Sequence, residues 1–541
     1  MRKGVELRLF LTFILFSFYF VQWYGWNEES NFALTRAIVD ENRFEIDTWY
    51  NQTGDRAFYD GHYYSDKDPG LSFLASPVYA GWKLMYGLFP TGFKERYGGG
   101  NEYIVQVFGD APVVTIINRG FFVFMCMIFL TVFTSGVLTA LTSLLVFKLS
   151  GYFIKRRGYR ILLALTYFFG TLAFPSSLHF MNHSASTFFS FLSFFLLFKS
   201  ESIRTSLKYF SLSGLSLGLS ILLDRLCLIF LPFYSMYALS INRKLFFVFL
   251  SSAFLSLLPY LIYNFMIFKD PFMLCSSYVD ENIFKQAYHL GHDSLGIVKS
   301  SIIDVQPLVR RLHLIALSPN PNVILRILFY PYRGLFFYHP VLLLSLIGLY
   351  YMLDDHEGKA FMIISILFFF SFFISMRKVW WGGYCFGERY MLPVVPLLML
   401  PLFYSLKKLG LKIFLAFLIL SVFINIIGLQ PAEEYAYDWE RMDVKEEWIK
   451  AQEGYGIIFN PLLEHYLPLF LKHGPRSGIF ENLINGYGSI DIRFPASSKG
   501  KNFPFSAFHV PFLCLVPPAV LLLMIWREYK QPRSKSIYHG V

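Results

Sequence analysis

Charge is what this chain of 541 residues lacks: Asp, Glu, Lys and Arg make up 16% of it, against 55% hydrophobic and 20% aromatic residues. A soluble chain of this length needs a far larger charged surface, so a water-soluble globular protein is excluded. Cysteine is scarce as well, with five in all. Cys126, Cys227 and Cys514 lie in apolar runs and read as small hydrophobes, whereas Cys275 and Cys385 lie in segments read as external and are candidates for a disulfide. There is no Walker loop, no Cys/His zinc spacing and no Gly-x-Ser-x-Gly elbow, so nothing points to nucleotide hydrolysis. Internal repeats of a transporter type and low-complexity tracts are also missing.

What fills the chain instead is apolar runs of about twenty residues, recurring over almost the whole length, with a mean hydropathy of +0.46. The net charge of +11 does not imply nucleic acid, because the basic residues gather in short loops such as Lys155-Arg156-Arg157 and Arg243-Lys244. That is the positive-inside pattern, and it puts those loops and both termini in the cytoplasm. The first run, Leu7 to Tyr24, has no small-residue cleavage site after it and reads as a retained helix. Counting runs predicts about twelve crossings. The expected fold is therefore an all-α polytopic, multi-pass membrane protein with external interfacial helices and a small external C-terminal region. Residues 1–429 form the transmembrane domain, 430–507 the external region and 508–541 a last helix with a cytoplasmic tail. The external segments are 25–118, 268–334 and 430–507; the last is the expected place for acceptor binding. The run Leu71 to Leu88, broken by Pro77, Gly81 and Lys83, reads as interfacial or re-entrant helix.

Charged residues cluster at external corners. Asn27 and Glu28 follow the first run, and Arg36 lies eight residues beyond Glu28. If that stretch is helical, both share one face. Next come Asp55, Asp60, His62, Tyr63, Tyr64 and Lys67, the last within Asp66-Lys67-Asp68-Pro69-Gly70. A lysine there is a compact cation at the depth of lipid phosphates, and the prolyl-glycine turn can aim backbone N–H groups at an anion. Asp55 and Asp60 are alternative bases or metal ligands, and each is equally a turn residue beside glycine. His183 begins an apolar run, where an ionisable group is costly unless used or paired. In Trp380-Trp381-Gly382-Gly383-Tyr384-Cys385-Phe386-Gly387-Glu388-Arg389-Tyr390 the glycines permit close approach, Trp381 can stack on a sugar, and Arg389, beside Glu388, can fork onto a phosphate.

With these residues in hand, the chain resembles the GT-C superfamily of membrane glycosyltransferases, and most of all the branch of protein O-mannosyltransferases and the lipid A aminoarabinose transferase. The matching pieces are Asn27-Glu28, Arg36 and Gly61-His62-Tyr63-Tyr64-Ser65-Asp66-Lys67-Asp68-Pro69, with Trp381-Gly382-Gly383 through Arg389-Tyr390 similar to a later motif of prokaryotic relatives. The likeness is sharpest over residues 20–75. It implies transfer of a sugar from a polyprenyl-phosphate donor to an acceptor protein, lipid or glycan at the outer face, by direct displacement that inverts the anomeric carbon. It implies Lys67, Arg36, His62 and Arg389 at the donor phosphate, and Asn27, Tyr63, Tyr64, His183, Trp381 and Glu388 around the substrates. The family's acidic pair begins with aspartate, where this chain has Asn27. Either Glu28 serves as the base, or Asp55 or Asp60 does. No cofactor is required for this chemistry, and the oligosaccharyltransferase relatives leave room for a divalent cation. The alternatives are a lipid-linked sugar flippase, which charges deep in several runs would favour, and an inactive scaffold, which Asn27 favours.

Overall fold

Long apolar runs exclude water, so their backbone N–H and C=O groups must pair internally, and helix results. The computed structural model describes residues 2–22, 25–97, 121–203, 206–278, 319–377, 380–383, 385–429, 460–475 and 509–530. The expected external residues 98–118, 279–318 and most of 430–507, together with the tail from 531, lie outside the described residues.

Helices α1 (Arg2–Tyr19) and α2 (Trp26–Glu41) come first, then strands β1 (Arg56–Tyr59) and β2 (His62–Ser65). Helices α3 (Gly70–Gly87) and α4 (Thr91–Tyr97) follow, and then α5 (Phe121–Thr131) and α6 (Val137–Phe153), joined by a π turn at Val132–Gly136. The middle of the chain is α7 (Arg157–Gly170), α8 (Ala173–Ser177), α9 (Asn182–Ile203), α10 (Leu207–Leu223), α11 (Phe230–Ile241) and α12 (Arg243–Phe268). Beyond it lie α13 (Pro321–Phe329), α14 (Leu335–Tyr338), α15 (Leu343–Ser375), α16 (Val395–Leu409), α17 (Leu411–Ile427), α18 (Leu467–His473) and α19 (His509–Lys530). Among the described residues, four helical stretches are long and apolar enough to cross a membrane: Phe121–Phe153, Arg243–Phe268, Pro340–Ser375 and Arg389–Leu409. Shorter apolar helices accompany them at Leu207–Leu223, Arg225–Ile241, Leu411–Ile427 and Pro518–Arg527. Helix α15 is broken at His356, whose φ of −147° and ψ of 56° are not helical.

Two features correct the sequence reading. The fold is not wholly α: β1 and β2 pair antiparallel, with Arg56 opposite Ser65 and Tyr59 opposite His62. Asp60 and Gly61 close the hairpin with φ of 49° and 84°, the two left-handed residues a type I′ turn demands. Nor are Cys275 and Cys385 joined. Both are buried free thiols, Cys275 against the Tyr263 hydroxyl at 3.8 Å and Cys385 against Arg333 at 3.8 Å.

The largest core cluster runs from α6 through α17 and includes Tyr167, Phe194, Tyr234, Trp380 and Trp381. Helices α10 and α12 approach unusually closely. A Cβ at Gly214 would sit 2.1 Å from the Phe249 carbonyl, and one at Gly218 2.2 Å from that of Ala253. This is the small-xxx-small contact of membrane helices. It fixes the turn after α10, on which the site is built.

Candidate active site

Helix α2 starts at Trp26, after Gly25 at φ 130°, with Glu28 and Glu29 in its first turn, where carboxylates suit the helix dipole. Two hydroxyls then anchor the following loop and hairpin to it. Thr53 donates to the Trp26 carbonyl at 2.7 Å and accepts from the Asp55 amide at 3.0 Å. Ser30 donates to the Asp55 carbonyl at 2.6 Å and pairs with Ser65 at 2.7 Å, while Ser65 accepts from the Lys67 amide at 3.2 Å. The serine pair thereby sets Asp55 and Lys67 side by side. Lys67 Nζ lies 2.7 Å from Asp55 Oδ2 and 3.1 Å from the Asp66 carboxylate.

Charge in this group is nearly balanced within the protein. Burial works against the Lys67 ammonium, but Asp55 and Asp66 outweigh it and hold its pKa above the ordinary lysine value. Burial pushes the Asp66 carboxyl up to about 6, opposed by Lys67 and reinforced by Asp55.

The next residue, Asp68, locks the turn to the rest of the molecule. Its carboxylate accepts from the Arg225 amide at 3.0 Å, the Arg225 guanidinium at 3.3 Å and the Tyr260 hydroxyl at 3.1 Å. Its carbonyl accepts from Asn182 Nδ2 at 3.3 Å, and the same amide group donates to Leu223 at 2.6 Å. One residue before Arg225, Asp224 holds His183 Nδ1 at 2.9 Å and accepts from the Leu226 amide at 3.0 Å. Burial alone would raise the Asp224 carboxyl, but its bonds to His183 and Leu226 hold it below the usual value.

Arg389 reaches the same place from the far end of the chain. It is close enough to feel the charges of both Asp55 and Lys67. Its Nη1 touches Met181 Sδ at 3.2 Å, and it shares the Tyr390 ring with Arg377, whose guanidinium lies 4.2 Å from the centroid. The loop before it needs its glycines: Gly382, Gly383 and Gly387 have φ of 79°, 69° and 70°. Glu388 is fully buried, and neither carboxylate oxygen meets hydrogen-bond geometry with a partner among the described residues. Burial raises its carboxyl to about 8, partly offset by the Arg333 charge and the nearby Tyr390 amide.

Between these parts lies a cavity of about 20 Å3, lined among others by His179, Met181, His183, Cys385, Phe386 and Arg389. His179 Nδ1 faces Glu28 Oε1 at 3.3 Å. The cavity thus carries two imidazoles, each backed by a carboxylate, next to a guanidinium.

Of the sequence-derived residues, the structure brings together Glu28, Asp55, Lys67, His183 and Arg389, with Glu388 adjoining. Others sit elsewhere. Arg36 shares α2 with Glu28, yet its guanidinium lies 3.9 Å from the Phe32 ring centroid and donates to Gln52 at 3.3 Å. Asp60 occupies the hairpin turn. His62 is exposed and pairs with Asp47 at 2.7 Å, a bond that raises its pKa. Tyr63 stacks on Tyr50 at 4.3 Å, and Tyr64 is buried with its hydroxyl toward Glu45. Trp381 is buried in the main core. Asn27 accepts from Asn31 Nδ2 through its carbonyl at 2.9 Å and its side chain at 3.3 Å. Sequence reasoning did not single out His179, Ser30 or Tyr260. Only His179 had a signal, its spacing of four from His183 in Leu178-His179-Phe180-Met181-Asn182-His183.

Among the described residues no group of three or more His, Cys, Asp or Glu side chains converges as metal ligands. Cations of the chain, Lys67 and Arg389, occupy the polar centre, and no step below is routed through a metal ion.

Solved structures to which the chain is similar include two oligosaccharyltransferase structures. Archaeal oligosaccharyltransferase AglB from Archaeoglobus fulgidus, in complex with an inhibitory peptide and a dolichol-phosphate, aligns with 93% of this chain and 62% of its own, at TM-score 0.44 and 14% identity. The Archaeoglobus fulgidus oligosaccharyltransferase in complex with Zn and sulfate aligns with 93% of this chain and 59% of its own, at TM-score 0.38 and 13% identity. The chain therefore spans about three-fifths of the length of the solved structures it matches. No protein-family model matches the chain, and no curated protein matches it in sequence.

Proposed function

We propose that this chain is a membrane glycosyltransferase that moves a sugar from a polyprenyl-phosphate donor to an acceptor at the outer face, inverting the anomeric carbon. The observation that carries this reading is the meeting of Lys67 and Arg389 beside a cavity lined by histidines and backed by Glu28. The resemblance of residues 20–75 to GT-C enzymes and the cytoplasmic placement of the basic loops support the donor class and the side.

The chemistry follows from charge. The acceptor oxygen forms a bond to the anomeric carbon while the bond from that carbon to the phosphate oxygen breaks, its electron pair staying on the lipid phosphate. Negative charge grows on that phosphate, and Lys67 and Arg389 are pre-placed to meet it in a poorly solvated site. The acceptor proton passes to a base on the Glu28 side of the cavity. Asp55 and Asp66 keep Lys67 charged and in place before the donor arrives.

The test is turnover of a panel of polyprenyl-phosphate sugars by purified protein in nanodiscs, compared with Lys67→Ala and Arg389→Ala. Release of polyprenyl phosphate by wild type, with weakened donor binding in both variants, supports the reading. Wild-type protein that binds the lipid phosphate but never releases sugar rejects it in favour of a flippase or scaffold.

A further inference from the structure

Glu28 does not itself line the cavity, but the wall it backs, residues 175–184, offers the cavity two imidazoles. They differ in what they expose. Both ring nitrogens of His179 are buried atoms. His183 keeps a side chain that is 11% exposed, and Asp224 Oδ2 engages its Nδ1 at 2.9 Å. Its Nε2 has no hydrogen bond among the described residues and is not one of the buried unpartnered atoms, so it is the ring nitrogen left open to the cavity.

Helix packing fixes this pair. Helix α9 begins at Asn182, whose Nδ2 donates to the Leu223 carbonyl at the end of α10 at 2.6 Å, and further along Ser193 and Ser213 meet at 2.9 Å. That register puts Asp224, the residue after α10, opposite His183. The Leu226 amide holds the other Asp224 oxygen at 3.0 Å, and the Tyr390 ring stands perpendicular to the imidazole at 5.4 Å. The cavity of about 20 Å3 has room for one water-sized group, such as a reacting hydroxyl.

We propose that His183 is the catalytic residue that takes the acceptor proton, on Nε2, and that Asp224 is a positioning residue acting through it. This rests on the transferase reading above and names its base. In the displacement, the acceptor O–H proton goes to His183 Nε2, the oxygen bonds to the anomeric carbon, and the lipid phosphate departs with the electron pair of the broken bond. Asp224 stabilises the imidazolium, which then returns its proton to solvent, so no co-reactant is needed.

The charged and titratable groups around His183 fit this role. Asp224 comes from the turn after α10, Arg377 from just beyond α15, Cys385, Arg389 and Tyr390 from the segment before α16, and His179 from the same wall. Asp68 and Arg225, from the neighbouring turns, are paired with each other. Burial lowers the His183 pKa, the bond and charge of Asp224 oppose this, and Arg389 and Arg377 add to the lowering. Against burial, the bonds to His183 and Leu226 keep Asp224 a carboxylate. The neutral ring therefore carries its proton on Nδ1 and its lone pair on Nε2.

The test uses the full-length protein in nanodiscs with a polyprenyl-phosphate sugar that wild type consumes. His183→Gln is expected to keep the donor Kd within about twofold and to lose about 100-fold or more in kcat. Wild-type kcat/KM should fall on acidification as Nε2 protonates. Asp66 also titrates in this range, at about 6, so the acid limb is read through Asp224→Asn, which keeps an oxygen for the Leu226 amide. That variant should move the limb to lower pH by about one unit or more, because a carboxylate that raises the imidazole pKa is gone. The Asp224→Asn profile decides the matter even if the His183 variant does not fold. An unmoved limb in Asp224→Asn overturns the proposal while leaving the transferase standing. So does a His183→Gln enzyme with full kcat and weakened donor binding, since His183 would then be a donor ligand. A wild-type protein that consumes no sugar lipid removes the transferase reading, and this inference with it.

Discussion

The role proposed for Lys67 depends on how its charge is held. Lys67 is held between Asp55 and Asp66, and alanine in its place leaves these two carboxylates with their shared cation gone. Donor-phosphate binding is expected to weaken at least about tenfold, about 1.4 kcal/mol, as measured by titration of polyprenyl phosphate into nanodiscs. Glu388 makes a second point about charge. Its carboxyl titrates at about 8 in the folded protein against an ordinary 4.5, so the native state keeps a proton that the unfolded chain has already lost between those values. Stability must therefore fall as pH rises from about 4.5 to about 8 and level off above. Glu388→Gln, neutral throughout, should have a flatter profile, and its melting temperature should exceed that of wild type by about 2 °C or more at pH 8. A wild-type melting temperature that rises across the same window would rule this out. The Pro-Gly and Gly-rich turns beside Lys67 and Arg389 singled them out in the sequence, and the structure brings the two near each other. His179 was not singled out, since its partner Glu28 comes from a helix far away in the chain. Arg36 shows the converse: its eight-residue spacing from Glu28 is real, but nearby Phe32 and Gln52 take its guanidinium.

Elements, rather than residues, place the lysine turn. Strand β2 delivers Ser65 to Ser30 on α2, and α3 then starts at Gly70 directly against the end of α10. A Cβ at Gly70 would lie 2.5 Å from the Leu222 carbonyl oxygen, a backbone atom with no freedom to swing aside. Gly70→Ala should therefore push α3 off α10 and strain the Asp68 contacts to Arg225 and Tyr260, at a cost of about 1–3 kcal/mol. Lower thermal stability together with weaker donor binding is the expected pair of results. Unchanged binding in a destabilised protein would mean that the turn does not depend on this docking. Helix α3 was readable as the apolar run Leu71 to Leu88, and α2 only as a condition on the Glu28–Arg36 spacing, whereas the hairpin was overlooked. Its Asp-Gly turn signal was present, but four-residue strands rich in tyrosine and flanked by charge were absorbed into the picture of a catalytic loop.

On the scale of the whole molecule, hydropathy revealed a membrane protein and most helix positions, since water exclusion leaves the backbone few alternatives. It could not reveal which corners meet. That depends on side-chain contacts across the bundle, such as Asn182 to Asp68, Tyr260 to Asp68 and Arg389 to Met181. The result is a cluster in which the N-terminal segment supplies one cation, Lys67, and the loop before α16 supplies another, Arg389. If both act on one donor phosphate, their contributions cannot be independent. A double-mutant cycle with Lys67→Ala and Arg389→Ala, read as polyprenyl-phosphate affinity, should show a coupling of about 0.5–3 kcal/mol. Two cations serving different ligands would give additive losses instead. The same cycle with Lys67→Ala and Lys83→Ala is the control, because Lys83 is engaged by Asp40 at 2.6 Å on α2 and is not part of the cluster. Additivity there and coupling at Arg389 would locate one anion between the two ends of the fold.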